Sequence, residues 1–376
     1  MKSMSIAVRA LVASAVLLGA HAAHAAQIVV GQVGPMSGLE ASQGRAYATG
    51  MQLHFNAVNK AGGVNGHTFT LVRRDDGGRP EDTVQGAKAL LAEDKPMVLA
   101  GFFGTKNIAD LVAAGLLEKD RIALVGYRTA EIRPETPYLY NVRATLRDEV
   151  NKLFAHLATI GITQIGLFYE EGPGASALLA AAEDAAKRAK ATLTHKASYE
   201  VGTAKVTPAV DVFMKGPPQA IIMVSTGGAA AAFIEQYRAS GGAAQLFAHS
   251  GADIEQMSKR LSEEQMSGVA IAQVTPSPYK IANRLAKEFN DLVAKTPNLE
   301  VPVSYSMMEG YIAAKVIVEA VRRQGARPTR EGMAAALDAM DNYDLGGYVV
   351  SFKPNARSGS RFVELSIISG SGKIRQ

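Results

Sequence analysis

The sequence predicts an α/β protein built as two doubly wound lobes, and three observations carry that expectation. Short apolar runs alternate with longer stretches of helical period, which is the pattern of βαβ units around a parallel sheet. The same scheme occurs twice, once in each half of the chain. The 376 residues also exceed what one hydrophobic core usually spans, so two lobes are the default.

In the first half, strands are expected at 28–33, 68–73, 97–100 and 122–125. Between the first two, Tyr47, Met51, Phe55 and Val58 recur at helical spacing and form one buried stripe. That helix should stop at Gly62-Gly63, where glycine accepts the left-handed conformation that closes a helix, and Asn65-Gly66 then turns the chain into the next strand. A second helix begins at Pro80-Glu81-Asp82, with proline in its first turn and carboxylates at the positive end of its dipole, and runs to about residue 93. A third is expected at 107–118. After Tyr127 the rhythm breaks over 129–140 and resumes at Asn141-Val142-Arg143-Ala144, so a first crossing between lobes is placed at 143–148.

The second half repeats the scheme, with strands at 164–169, 192–199, 220–224 and 246–248 and helices around 176–189, 206–215 and 229–240. A further strand, 268–273, leads into Thr275-Pro276-Ser277-Pro278, a stiff linker suited to a second crossing. Helices near 279–294, 304–323 and 330–340 follow. Two alternating runs, 347–353 and 361–368, close the chain as an expected antiparallel hairpin. The expected division puts 26–145 and 277–345 in lobe 1, and 146–276 and 346–376 in lobe 2.

Residues 1–25 read as a cleavable signal peptide. Lys2 and Arg9 precede the apolar run ALVASAVLLGA, and Ala23-His24-Ala25 supplies a cleavage triplet. The run is about half of the roughly 20 residues a membrane span needs. Export to the periplasm is the expectation, and a chain without cysteine has neither a lipid anchor nor a disulfide there. Removing the leader's two positive charges takes the formal +5 to 5 − 2 = +3. The remaining Lys and Arg are scattered without interleaved aromatics, which argues against a nucleic-acid surface.

In an open α/β sheet the ligand lies beyond the carboxyl ends of the strands. After the first strand, Gly34-Pro35-Met36-Ser37-Gly38 lacks the glycine pattern and lysine of a nucleotide loop, which leaves a plain turn or one offering Ser37 and its amides to a ligand. After the third, Phe103-Gly104-Thr105 runs directly into a helix, so Thr105 is either an N-cap or part of an anion site suited to a carboxylate. Tyr127, Arg128 and Thr129 supply an aromatic, a fork donor and a hydroxyl, a set suited to an organic acid unless Arg128 points to water. Tyr169-Glu170, Thr226 and His249-Ser250 end strands of the second half, His249 reading as a core or surface histidine. No nucleophile elbow, zinc helix or cysteine occurs, and His54, His67, His156, His195 and His249 are not at ligand spacing. Asp75-Asp76 and Glu170-Glu171 read as solvated charge. Neither enzyme activity nor a cofactor or metal is expected.

Several of these segments together resemble the leucine/isoleucine/valine-binding protein family of periplasmic receptors: Gly34 to Gly38, the NKAGGVNG element at 59–66, Asp75-Asp76, Asn141 to Ala144, and Glu309-Gly310-Tyr311-Ile312-Ala313-Ala314-Lys315. The resemblance implies a type I periplasmic binding fold: two lobes, three crossings and hinge closure over a small ligand. It also implies a monomer that delivers this ligand to the permease of an ABC importer. A sensing receptor of the same fold with a separate membrane partner is the alternative. Carried over, the ligand shell falls on Gln43, Thr105, Tyr127, Thr129, Thr226 and Ser250, with Tyr169 and Glu170 opposite. Amino-acid binders of the family place a glutamate at Ser250 to pair with the ammonium group, and often an aromatic at Thr226. A buried ammonium here would forgo a charge-assisted bond worth roughly 1.5–3 kcal/mol. An organic acid, aromatic or aliphatic, is therefore expected over an α-amino acid, its carboxylate meeting Thr105, Thr129 or Arg128.

Overall fold

The computed structural model describes residues 27–369 and the backbone of 374–375, so the expected signal peptide lies outside the described residues. The first sheet contains β1 (Gln27–Gly34), β2 (Thr68–Asp75), β3 (Val98–Phe103), β4 (Leu124–Arg128) and β5 (Leu139–Tyr140), in the order β2-β1-β3-β4-β5. All its pairings are parallel. β3 is buried along its whole length, as a central parallel strand covered on both faces must be. Its side chains alternate between two cores. Val98 and Ala100 join α1 (Ala41–Lys60), while Leu99 and Phe102 join α2 (Pro80–Ala89), α3 (Thr105–Ala113) and α4 (Leu116–Lys119).

The α1 stripe behaves as its spacing requires, with Tyr47, Met51 and Phe55 fully buried and Val58 packed at the cluster's edge. Beyond it, Gly62 and Gly63 take φ of 94° and 82°, and Val64 and His67 exchange backbone hydrogen bonds of 2.9 and 2.8 Å. A Cβ on Gly63 would lie 2.2 Å from the His67 carbonyl oxygen, so only glycine fits. The second expected helix ends in a π-helical turn, Leu90–Asp94. The third is broken at Gly115, whose φ of 65° separates α3 from α4.

The second sheet runs β14 (Ile374–Arg375), β13 (Glu364–Ile368), β10 (Ala270–Gln273), β9 (Gln245–Ala248), β8 (Ala220–Val224), β6 (Gln164–Glu170), β7 (Thr192–Tyr199). Its parallel part is β6, β7, β8, β9 and β10. Around it pack α5 (Leu146–Thr159), α6 (Ala175–Arg188), α7 (Thr207–Lys215), α8 (Gly227–Ala239), α9 (Ile254–Arg260) and α10 (Glu263–Met266). α11 (Arg284–Ala294), α12 (Tyr305–Gln324) and α13 (Arg330–Asp338) return to the first core. There α12 lies on α1 at backbone contact, since a Cβ on Gly310 would sit 2.0 Å from the Tyr47 carbonyl oxygen.

The expected C-terminal hairpin does not form. β11 (Tyr343–Asp344) pairs instead with β12 (Val349–Val350), while β13 (Glu364–Ile368) lies antiparallel beside β10 and carries β14 (Ile374–Arg375) on its other edge. Burial decides this: Tyr348, Val350 and Phe352 belong to the core of α1 and α12, so the two runs are drawn to different sheets. Three segments thus cross between the sheets, before α5, after β10 and before β13. The Tyr348 hydroxyl lies 2.8 Å from the Val142 carbonyl oxygen and 3.0 Å from that of Val274, tying the first two crossings together. Asn141 bonds the third, its N–H donating to the Arg357 carbonyl and its carbonyl accepting from the Gly359 N–H.

Candidate functional site

The carboxyl ends of β3 and β4 meet those of β6 and β8, and the space between them is the cleft. At the first of these ends Gly104, with φ 102° and no side chain, occupies the N-cap of α3. Thr105 therefore does not cap the helix. Its hydroxyl accepts from the Ala130 N–H at 3.1 Å and fixes the chain leaving β4 against the start of α3. The first-turn N–H groups of α3 have no intrahelical partner, so this end offers donors and a positive dipole to an anion.

Arg128 does not point to water. It is 8% exposed, and its Nε and Nη2 donate to Glu309 Oε2 at 3.1 and 2.9 Å while Nη1 donates to Gln43 Oε1 at 2.6 Å. Its guanidinium also stands 5.5 Å from the Phe103 ring centroid. Phe103 itself packs edge-on against Tyr47. Glu309, fully buried on α12, takes a second, longer contact of 3.4 Å from Arg143. The arginine expected to greet a carboxylate is thus already neutralised by a protein carboxylate.

Ser250 is held from two sides. Its N–H donates to Glu149 Oε2 at 2.7 Å and its hydroxyl to Glu149 Oε1 at 3.0 Å, while Arg143 donates to the same hydroxyl. Arg143 and Glu149 form a buried ion pair of 3.0 Å. The position where an ammonium partner would stand therefore presents a hydroxyl with a guanidinium on it.

Acids line the other edge. Glu40, beside α1, has its carboxyl pushed up to about 7, by burial first and then by the Asp253 charge across the cleft. Burial also raises Glu170, whose Oε1 accepts from the Gly202 N–H, and Glu255. Asp253 is buried, with φ 52°, and its Oδ1 caps α9 through the Gln256 N–H at 2.8 Å. Gln256 spans the lobes, its amide donating to the Leu39 carbonyl at 2.6 Å.

Two cavities open along the cleft. The smaller, about 50 Å³, brings Thr105 and Ala130 against Glu170 and Val224. The larger, about 180 Å³, is lined by Tyr127, Thr129 and the residues around the first and third crossings. Burial pushes the Tyr127 phenol up to about 12, so it stays neutral. The remaining expected residues are occupied elsewhere. Ser37 is exposed, and its amide and that of Met36 donate to Asp75 Oδ1. Thr226 caps α8 through the Ala229 N–H, and Tyr169 leans on the core of α5 and α6. His249 is buried, and burial lowers its ring below the ordinary value. Arg143, Glu149, Glu309 and Asp253 were not expected in the site. A usable signal existed for Glu309, a lone charge in the apolar stretch Tyr305 to Ala314.

Residues 27–363 match the family model described as periplasmic binding protein. A solved structure of a substrate-binding periplasmic protein from Ralstonia solanacearum superposes with a TM-score of 0.86, at 37% identity over 93% of this chain and 99% of that one. A Leu/Ile/Val-binding protein homolog 8 of Brucella abortus is 23% identical over 351 residues, 88% of this chain and 85% of that protein. An amino acid binding protein of Pseudomonas aeruginosa is 38% identical over 95 residues, so that match spans only 25% of each chain. The branched-chain amino acid transporter substrate-binding protein of Streptococcus pneumoniae, solved with isoleucine, shares the fold with a TM-score of 0.77 at 17% identity, over 93% of this chain and 98% of that one. Among the described residues, no helix is long and apolar enough to cross a membrane. Two doubly wound lobes facing each other across a cleft, and a family match over nearly all described residues, have one meaning: the chain belongs to the periplasmic binding protein family, whose members bind small ligands and are not enzymes.

Proposed function

We propose that this protein is the substrate-binding component of an ABC importer and carries a small organic acid. A cleavable leader, 1–25, takes it to the periplasm, where it works as a monomer, closing its lobes over the cargo and presenting it to the permease. Lobe 1 comprises 26–145 and 277–352, and lobe 2 comprises 146–276 with the segment from β13 onward. The boundary falls after Phe352 rather than at 345 because Tyr348, Val350 and Phe352 pack in the first core.

The observation that carries the cargo assignment is the Arg143 guanidinium on the Ser250 hydroxyl: the carboxylate there, Glu149, is already paired with that guanidinium at 3.0 Å and accepts both Ser250 donors, so it is not free for an α-amino group. The acid's carboxylate goes to the start of α3, at Thr105 and Thr129, while Arg128 holds the wall through Glu309. A second reading draws on Asp253, a buried carboxylate three residues past Ser250 that would serve an ammonium group. Calorimetric titration against aliphatic and aromatic acids beside leucine, isoleucine and valine decides between them. Acid binding without amino-acid binding supports the first; tight leucine binding that Asp253→Asn removes establishes the second.

A further inference from the structure

The larger cavity carries a charge that a monocarboxylic acid would not use. Its lining includes Arg133, Arg143, Arg147 and Arg361 against Glu131 and Glu149, and Asp148 pairs with Arg361, which leaves 4 − 3 = 1 positive charge, on Arg147. Both glutamates are committed, Glu131 to Arg133 at 2.5 Å and Glu149 to Arg143 at 3.0 Å. Arg361 reaches across to Asp148 at 2.7 Å, and Arg147 makes no ion pair among the described residues. The cavity, about 180 Å³, is far larger than the ~10–15 Å³ one water requires.

This cavity is separated from the acid-binding start of α3 by the thickness of one chain. Ala130 lines the smaller cavity, and its neighbours Thr129 and Glu131 line the larger one. Residues 129–131 thus form a wall shared by the two cavities, with adjacent Cα atoms about 3.8 Å apart.

We propose that the cargo is a dicarboxylic acid, with one carboxylate at the start of α3 and the second in the arginine-lined cavity at the crossings. Arginine suits that role because its planar fork meets a carboxylate with two parallel bonds. The assignment rests on the organic-acid cargo proposed above.

The test is calorimetric titration of the mature chain with matched pairs: pentanoate against glutarate, and benzoate against isophthalate. Each diacid should bind about tenfold tighter than its monoacid, the factor expected from one added charge-assisted bond. Arg147→Gln and Arg361→Gln, both at exposed side chains, should each weaken diacid binding about tenfold and change monoacid binding less than about twofold. Exposed Lys205→Gln, at a residue that lines neither cavity, should change neither. Equal affinity for the paired acids, or variants that affect both alike, overturns the dicarboxylate assignment and leaves the organic-acid cargo standing. If no acid of either kind binds, the organic-acid cargo falls and the dicarboxylate with it.

Discussion

Replacing Glu309 by leucine removes the carboxylate that holds a buried arginine from two directions. Arg128 would lose two contacts, of 3.1 and 2.9 Å, in a setting where it is 8% exposed and Glu309 is fully buried. Arg143 would lose only a long contact of 3.4 Å and would keep Glu149 at 3.0 Å. One buried guanidinium therefore becomes uncompensated. Breaking a buried pair from one side costs about 3–5 kcal/mol. Oε1 of Glu309 is already without a hydrogen-bond partner, which places the loss near the low end, about 3 kcal/mol. For a lobe of this size that is a fall of roughly 6–12 °C in Tm. Thermal unfolding of Glu309→Leu, Arg128→Met and the double variant forms the necessary cycle. The double variant should recover most of the loss, because an apolar pair of similar volume replaces an ion pair nearly neutrally. A loss below about 1 kcal/mol in Glu309→Leu, or no recovery in the double variant, would refute the idea that this pair holds the cleft wall.

Other consequences follow from the same geometry. Glu40 takes its proton in the folded state at about 7 and in the unfolded chain near 4.5, so its contribution to stability grows as pH falls through 7 and is lost as pH rises. His54, lowered to about 3 by burial, acts in the opposite sense below 6.5, so the informative quantity is the Tm of Glu40→Gln minus that of the parent. This difference should be positive at pH 8 and shrink toward pH 5; a constant difference would show that burial does not raise the Glu40 carboxyl. Gly310→Ala should cost about 3 kcal/mol by denaturant unfolding, since its Cβ meets a backbone oxygen that cannot turn aside. A cost under about 1 kcal/mol would mean that α1 and α12 stand farther apart. Thr105→Val should weaken acid binding about tenfold by calorimetry, and unchanged affinity would remove Thr105 from the site.

What could be read from the sequence depended on how local its cause was. β7 and β8 fall at the expected bounds because a continuous or alternating apolar run between turns is its own signal. β5 has only two residues, too few for any periodicity. No helix is expected over α5, although Thr145 and Asp148 form a capping box and Leu146, Val150, Leu153 and Leu157 recur at helical spacing, because the expected crossing at 143–148 covers its first turn. The C-terminal runs alternate as strands do, but which edge each joins depends on cores assembled from distant segments. The same holds for the site. Thr105 and Glu170 could be placed from their strand ends, and the departure at Ser250 was visible in one letter. Arg128 and Glu309 lie 181 residues apart, so nothing local reveals that one neutralises the other. Arg143, on a crossing, shows its relation to Ser250 only once the lobes are together.

Mass spectrometry under native conditions, on protein isolated from the periplasm without refolding, tests the cargo most directly. One small organic acid per chain, released on denaturation and carrying two carboxyl groups, is the expected result. Leucine, isoleucine, valine or another α-amino acid in its place would contradict the cargo assignment drawn from Ser250 and Arg143.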